Sequence, residues 1–539
     1  MLYGWRGRGL SRRTLMKAGA SGLAMTSAVG IAPRYLIRPA HAAGLASGMT
    51  GGPTGFPGAE RYQYNESMSE GRAIEGIKKL KAAGKAPDKL VFLIGDGAMG
   101  QVNKPYPTTG PSVQQVWEQE TGIKLEMVGV SPEENYPRVM QDITTKSGAY
   151  DIYTSFFNEI GDLVESNGII DLDEYVAKYK PDWLDPQRGA PTKEIYNFAY
   201  TYNKKVYIVS LDGDFQVWVY RKDLFEDPQN KKEYEDRFKT PLHQPPTWTE
   251  VDQISQFFKD KGFNGHTNLL SPFWGTSTWF NRYVSYGDPN YYPFDESGKP
   301  LINSELGVKA AAAHVKSREW SSKDILNWTY AEAYGSMGDG TGVMMCTFSN
   351  LPKFMDRKNP DGTPATKATG KFNSFIPPGT LHGSNLIRRS CLYLNTSATV
   401  SSQSKHPEAA YLFLQWLSST RVFTWMSANP GGYYDPWQLA NLSDPLVIET
   451  YHDYHVPVIR ETIIRSAPTM NFPGTRAMYD ALDKNLIAAM TGGKGVKEAM
   501  DDAAAEWTKI IKRKGEKKML DQINAARAGF PKIVDKMPA

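Results

Sequence analysis

The chain has 539 residues, with Lys and Arg together at 62 against 58 Asp and Glu, for a formal charge of +4. An excess that small and dispersed excludes nucleic acid or an anionic membrane as the main partner, and the length exceeds what one core organises, so two or three domains are expected. The hydrophobic share of 40%, the charged share of 22% and the mean hydropathy of −0.47 are those of an ordinary water-soluble protein. Aromatics reach 12%, with 29 Tyr and 13 Trp. Composition leaves two uses open for them, plain core and stacking platforms for rings with apolar C–H faces.

In chain order, Ser11-Arg12-Arg13-Thr14-Leu15-Met16-Lys17 resembles the twin-arginine export motif. A weakly apolar stretch from Ala18 to Pro33 and a small-x-small site at Ala40-His41-Ala42 complete a signal peptide over 1–42. The stretch is too short and too rich in Gly, Ser and Ala for a stable membrane span. Arg34 and Arg38 are unusual neighbours for a cleavage site. Residues 43–65 read as a flexible Gly- and Pro-dotted leader. Ile74, Ile77 and Leu80 mark one face of a helix stopping at Gly84, and Lys89 to Ile94 is a short buried strand ending at Gly95-Asp96-Gly97. Ser112 to Thr121 reads as a helix, Ile123 to Val128 as a strand, Glu133 to Thr145 as a helix and Tyr150 to Thr154 as a strand. Strands alternating with helices over short connections imply parallel pairing. Lys204 to Phe225 then holds two extended runs about a tight acidic break, Asp212-Gly213-Asp214. Beyond Trp507 a Lys/Arg-rich tail carries one more helical pattern, Met519 to Ala528, read as a solvated face.

Eight short patterns in one order carry a resemblance. They are Glu118-to-Glu126 with its Thr121-Gly122-Ile123 turn, Tyr150-Asp151-Ile152, Gly168-to-Tyr175, the 204–225 stretch, Pro245-Pro246-Thr247-Trp248-Thr249-Glu250, Phe294-to-Ser304, Gly342-Val343-Met344-Met345 and Gly492-to-Met500. Together they resemble family 1 extracellular solute-binding proteins of ABC transporters, the maltose- and trehalose-binding type. The resemblance implies an α/β fold of the two-lobed periplasmic-binding type (type II), with discontinuous lobes on a hinge and the ligand between them. Lobe one is expected over 66–211 and 390–430, lobe two over 215–385 and 435–505, and a helical tail over 506–539. It further implies a periplasmic monomer that captures a small solute, a carbohydrate or polyol, by hinge closure and hands it to an inner-membrane ABC permease, with no cofactor, no metal and no catalysis. Two rival readings are a secreted carbohydrate-active enzyme and the same fold binding a charged solute such as a sugar phosphate, for which Arg388 and Arg389 stand near a crossover.

The resemblance also points to ligand-binding residues. Asp96 follows the first strand, where open α/β sheets bind ligands, and is otherwise a turn former. Phe156 and Asn158 follow the third strand, Phe156 facing either cleft or core. Asp214 aligns with a crossover carboxylate that accepts sugar hydroxyls. Asp212 and Asp214 would share one strand face about 7 Å apart, within glycosidase range, but one strand does not place carboxylates on opposite sides of a bond, so binding is favoured. Phe273, Trp274 and Trp279 form the densest aromatic cluster; Phe348 opens a ligand loop running to Asn350; Tyr433, Tyr434 and Trp437 sit in a loop that Gly431-Gly432 opens; Tyr479 aligns with a further stacking position. Gly335 to Gly342 lacks the Gly-Lys-Ser/Thr ending of a phosphate loop, and His452 and His455 lack further metal ligands. Cys346 and Cys391 read as two buried hydrophobes or as a pair.

Overall fold

The computed structural model describes residues 44–105, 110–190, 193–287, 291–392, 396–530 and 535–536. The signal peptide expected over 1–42, with Arg12, Arg13 and Ala40-His41-Ala42, lies outside the described residues, as does the side chain of Cys391. Cys346 is buried.

Lys89–Gly95 (β1) is an apolar run with no alternation because helices cover both faces. It pairs in parallel with Lys124–Val130 (β2) on one side and Ile152–Ser155 (β3) on the other. Local signals set the connections. Ser112 and Gln115 form a reciprocal capping box at the start of helix Val113–Thr121, and Gly122 ends it at φ 62°. Helix Pro132–Thr145 has Pro at its first position. Strands Ser397–Val400 and Val209–Ser210 complete this sheet, Ser397–Val400 antiparallel to both neighbours. Helix Pro407–Ser418, apolar nearly all round, is buried here against Ser69–Ala82. Its Phe413 meets Trp117 edge-on at 5.0 Å.

The second sheet is antiparallel and has three strands, Val217–Arg221 lying between Met344–Thr347 and Phe372–Phe375. Helices Trp248–Asp260 (capped by Thr247), Gly275–Tyr283, Glu305–Ser317, Thr475–Met490 and Val496–Lys514 accompany it. These two sheets, joined by short buried links, are the two lobes of the α/β type II architecture.

The chain passes from the first sheet to the second between Ser210 and Val217. The first extended run expected before Asp212 is not one strand. Lys205–Val206 pairs with Thr201–Tyr202 in a hairpin, and only Val209–Ser210 joins the large sheet. Further links flank this one: Ser390–Leu392 pairs in parallel with Ser466–Pro468, and the Ser390 hydroxyl donates to the Gln216 carbonyl at 2.7 Å.

The tail differs from expectation. Residue 506 lies inside helix Val496–Lys514, whose Trp507 is buried and donates to the Met478 carbonyl at 2.7 Å. Helix Glu516–Ala528 buries Met519 and Ile523, and Asp535–Lys536 adds a strand against Asn385–Leu386. The basic residues reach back to the other half, where Lys514 pairs with Asp162 at 3.0 Å and Lys518 with Glu165 at 2.5 Å. The apolar positions of the tail, spaced for one helix face, seat it on the body, and its cations meet acids there.

Candidate functional site

Between the halves lies a cavity of about 720 Å³, its mouth included. The first half contributes the β1 end with Gly95 to Ala98, the β2 end with Val130 to Pro132, and Asn135, Thr154 and Phe156; the second contributes Trp274, Tyr330, Tyr334, Phe348 and Asn350. The links add Asp212, Asp214, Thr396, Tyr433 and Tyr434. The carboxyl ends of parallel strands thus open onto the space, as open α/β sheets dictate.

The aromatic wall is a set of rings set edge to face. Trp274 stands at 76° to Tyr330 (5.7 Å) and at 72° to Phe348 (6.4 Å), and Tyr330 at 80° to Tyr433 (5.5 Å). Gly97 makes room for Tyr433, since a Cβ there would sit 2.9 Å from its ring. Trp274 also donates from Nε1 to Glu133 of the first half at 3.3 Å, and Asn350 donates to the Tyr433 carbonyl at 3.1 Å. Both bonds tie the second half's wall to groups across or beside the opening.

Carboxylates form the floor. Asp214 is buried and its Oδ2 accepts from the Thr396 amide (2.6 Å) and hydroxyl (2.7 Å). Burial pushes its carboxyl up to about 6 against those two bonds. Asp212 accepts from the Asp435 amide at 2.6 Å, and burial, then the nearby Asp214 and Asp435 charges, hold it above the usual range. Asp435 rises to about 7 through burial, with Lys353 opposing. Lys353 is drawn down to about 8 by burial against the attraction of Asp435 and Asp212. It donates to Tyr451 at 3.0 Å, and Tyr451 donates to Asp435 at 2.8 Å. No Lys, Arg or His lines the cavity among the described residues. Three buried lining atoms, Asn135 Oδ1, Thr154 Oγ1 and the Tyr434 hydroxyl, have no hydrogen-bond partner in the protein.

Of the residues singled out from sequence, Asp96, Phe156, Asp214, Trp274, Phe348, Tyr433 and Tyr434 line this space. Five do not. Trp279 is fully buried and stacked on Tyr283 at 4.6 Å. Five helical residues turn the chain by about 140°, which sends Trp279 to the face opposite Trp274. Phe273 sits one place outward, edge-on to Trp274 with the Arg476 guanidinium 5.3 Å from its ring. Trp437 lies beneath the links against Tyr200 and the Cα of Gly213. Tyr479 packs on Phe280, and Asn158 is buried beside Glu159 in a single 3-10 turn. Arg388 and Arg389 are also away from the cavity, Arg389 with its guanidinium 5.0 Å from the Phe530 ring. His455 is held by Ser374 (2.6 Å) and the Ser349 carbonyl (2.9 Å), which occupies both ring nitrogens.

Sequence reasoning missed Tyr330, Tyr334, Asn135, Thr154 and Thr396. A usable signal existed only for the first two, an i,i+4 tyrosine pair in a helix that Thr329 and Glu332 cap.

The sequence profile described as "Bacterial extracellular solute-binding protein" matches residues 103–422. A "Probable amino-acid ABC transporter periplasmic-binding protein" of Sinorhizobium fredii is 26% identical over 371 residues, 65% of this chain and 75% of the relative. An ABC transporter solute-binding protein of Agrobacterium radiobacter K84, solved with ribitol, superposes at TM-score 0.65 with 17% identity, over 78% of this chain and 98% of that one. The maltose-bound MalE3 of T. maritima superposes at TM-score 0.61 with 16% identity, over 78% of this chain and 99% of that one.

Proposed function

This chain belongs to the bacterial extracellular solute-binding protein family, and from that premise we propose that its solute is a small carbohydrate or polyol. The observation that carries the reading is the polar inventory of the cavity. Asn135 Oδ1 and the Thr154 and Tyr434 hydroxyls are buried without a partner, and two carboxylates, Asp212 and Asp214, stand with them inside walls of aromatic rings. Such atoms cost free energy until a donor-rich guest satisfies them, and vicinal hydroxyls are donors with apolar C–H faces between. At about 720 Å³, mouth included, the space lies within the range of about 300–1,000 Å³ usual for small-molecule pockets and admits a monosaccharide or a linear polyol. The fold shared with the ribitol-bound and maltose-bound proteins is compatible with either guest.

An anionic solute, or the carboxylate of an amino acid, would face Asp96, Asp212 and Asp214 with no lining cation among the described residues. Capture works by closure: a guest bound to one half gains further contacts from Trp274, Tyr330 and Phe348 of the other, which stabilises the closed form. Delivery is to the permease of an ABC transporter, and export by the twin-arginine route brings the folded protein to the periplasm, where it acts as a monomer.

The mature chain, titrated calorimetrically against a panel of pentitols, hexitols, monosaccharides and maltose, should bind at least one with 1:1 stoichiometry and leave it chemically unchanged. Absence of binding across the panel, or appearance of a hydrolysis product, would overturn the proposal. Lys-Lys in place of Arg12-Arg13 should abolish export in a periplasmic fractionation.

A further inference from the structure

The carboxylates and rings of the cavity fit a positive charge as well as hydroxyls, and resting on the reading of this cavity as the solute site, we propose that the preferred solute is a hydroxylated organic ammonium, an amino sugar or amino polyol. Trp274, Tyr330, Phe348 and Tyr433 meet at 72° to 80°, so they wall the space as a box and not as a flat pair of platforms. A sugar ring gains most from a broad parallel face, whereas a compact ammonium gains from ring faces on several sides. The floor beneath is built of acids: Asp212 and Asp214 are buried two residues apart, and the lining residues that are described include no Lys, Arg or His. Lys353 stands behind Asp435, where it hydrogen-bonds Tyr451 and the Ser427 carbonyl and does not line the cavity. Asp96 adds a third carboxylate where the cavity opens to solvent. A neutral polyol would satisfy the acceptors alone; an ammonium satisfies the acceptors and also stabilises the ionised form of carboxyls that burial disfavours. The remaining polar atoms, Thr154 Oγ1, Asn135 Oδ1 and the Tyr434 hydroxyl, are then left for the hydroxyls of the same guest.

The test is calorimetric titration of the mature chain at pH 7.5 with matched pairs, sorbitol against 1-amino-1-deoxysorbitol and glucose against glucosamine, with choline as an ammonium nearly devoid of hydroxyls. The amine of at least one pair should bind tenfold or more tightly than its neutral partner, as one charge-assisted contact of about 1.4 kcal/mol requires. Asp214→Asn should weaken both members of the pair, the amine by tenfold or more beyond the neutral partner, so that the preference narrows or disappears. If that variant loses its cooperative unfolding transition, Asp96→Asn at the exposed mouth takes its place and should narrow the preference. Neutral members binding as tightly as the amines would overturn this inference and leave the carbohydrate or polyol reading intact. Choline binding with every sugar and polyol silent would uphold the cationic box and sink the hydroxylated reading; silence from all probes would sink both.

Discussion

Trp274 walls the cavity while Trp279, on the far side of the same short helix, is stacked on Tyr283 inside the second half. Truncation separates the two roles. Trp279→Ala should cost about 3–5 kcal/mol of unfolding free energy, read by denaturant titration, because it empties a closed site. Trp274→Ala should weaken binding of any calorimetric hit about tenfold or more and destabilise the empty protein less, since a ring at a cavity already lacks packing on one side. Asp214 gives a pH prediction. Its carboxyl is raised to about 6 in the folded chain, against an ordinary 3.8, so the folded state holds the proton more tightly than the unfolded one. This contribution favours folding at low pH and is lost as pH rises from about 4 to about 6. The groups facing Asp214 move the same way where they are acids: Asp212 and Asp435 are raised too, while Lys353 opposes them. Asp214→Asn, keeping an acceptor for Thr396, should therefore stabilise the unliganded protein at pH 8 by at most about 3 kcal/mol, read as a higher melting temperature, and leave it nearly unchanged at pH 4. No gain at pH 8 would mean that the charge is already compensated.

Elements whose cause is local were legible. The apolar run of β1, the Ser112 box, Pro132 and the Thr247 cap each lie within a few residues of what they determine, so the sequence shows them directly. Strand Ser397–Val400 was not legible, because what makes it a strand is β3, some 245 residues earlier, pairing Ile152 with Val400. The cavity shows the same division. Asp96, Phe156 and Phe348 follow strand ends and could be placed by order alone, whereas Thr154 and Asn135 are ordinary residues until the fold faces them inward. Trp279 and Tyr479 were misplaced because aromatic density does not say which side of a helix meets a cleft. One close approach tests the seam between elements. Gly161, in helix Ile160–Glu165, leaves no room for a side chain: a Cβ would lie 2.3 Å from the carbonyl carbon of Phe472 and 2.4 Å from the nitrogen of Pro473. Gly161→Ala must push the 471–474 turn away, and a loss of about 1–3 kcal/mol in stability is expected from thermal unfolding, with more for Val.

Across the whole molecule the halves are held by more than their links. Arg476 of the second half pairs with the buried Glu159 of the first at 3.2 Å, Gly474 donates to Asp162 at 3.0 Å, and Lys514 meets the same carboxylate. Burial raises Glu159 to about 7 even with Arg476 opposing. Arg476→Ala would strand a buried acid, so it should destabilise the protein by about 3–5 kcal/mol at pH 8 and by less at pH 5.5, where that acid takes up a proton. Small-angle scattering offers the complementary check: a calorimetric hit should reduce the radius of gyration of the wild type, and an unchanged radius would refute capture by closure. Six buried residues, 211–216, are all that separate the last short strand of one sheet from the central strand of the other, and Leu211, Gly213 and Phe215 all spend their amides within this region. On the proposed closure, an axle so short favours a swing over a slide, so that the outer rims of the two shells would change mainly their tilt. A partner docking across both rims would then tell a laden molecule from an empty one by tilt alone, without ever touching the cargo.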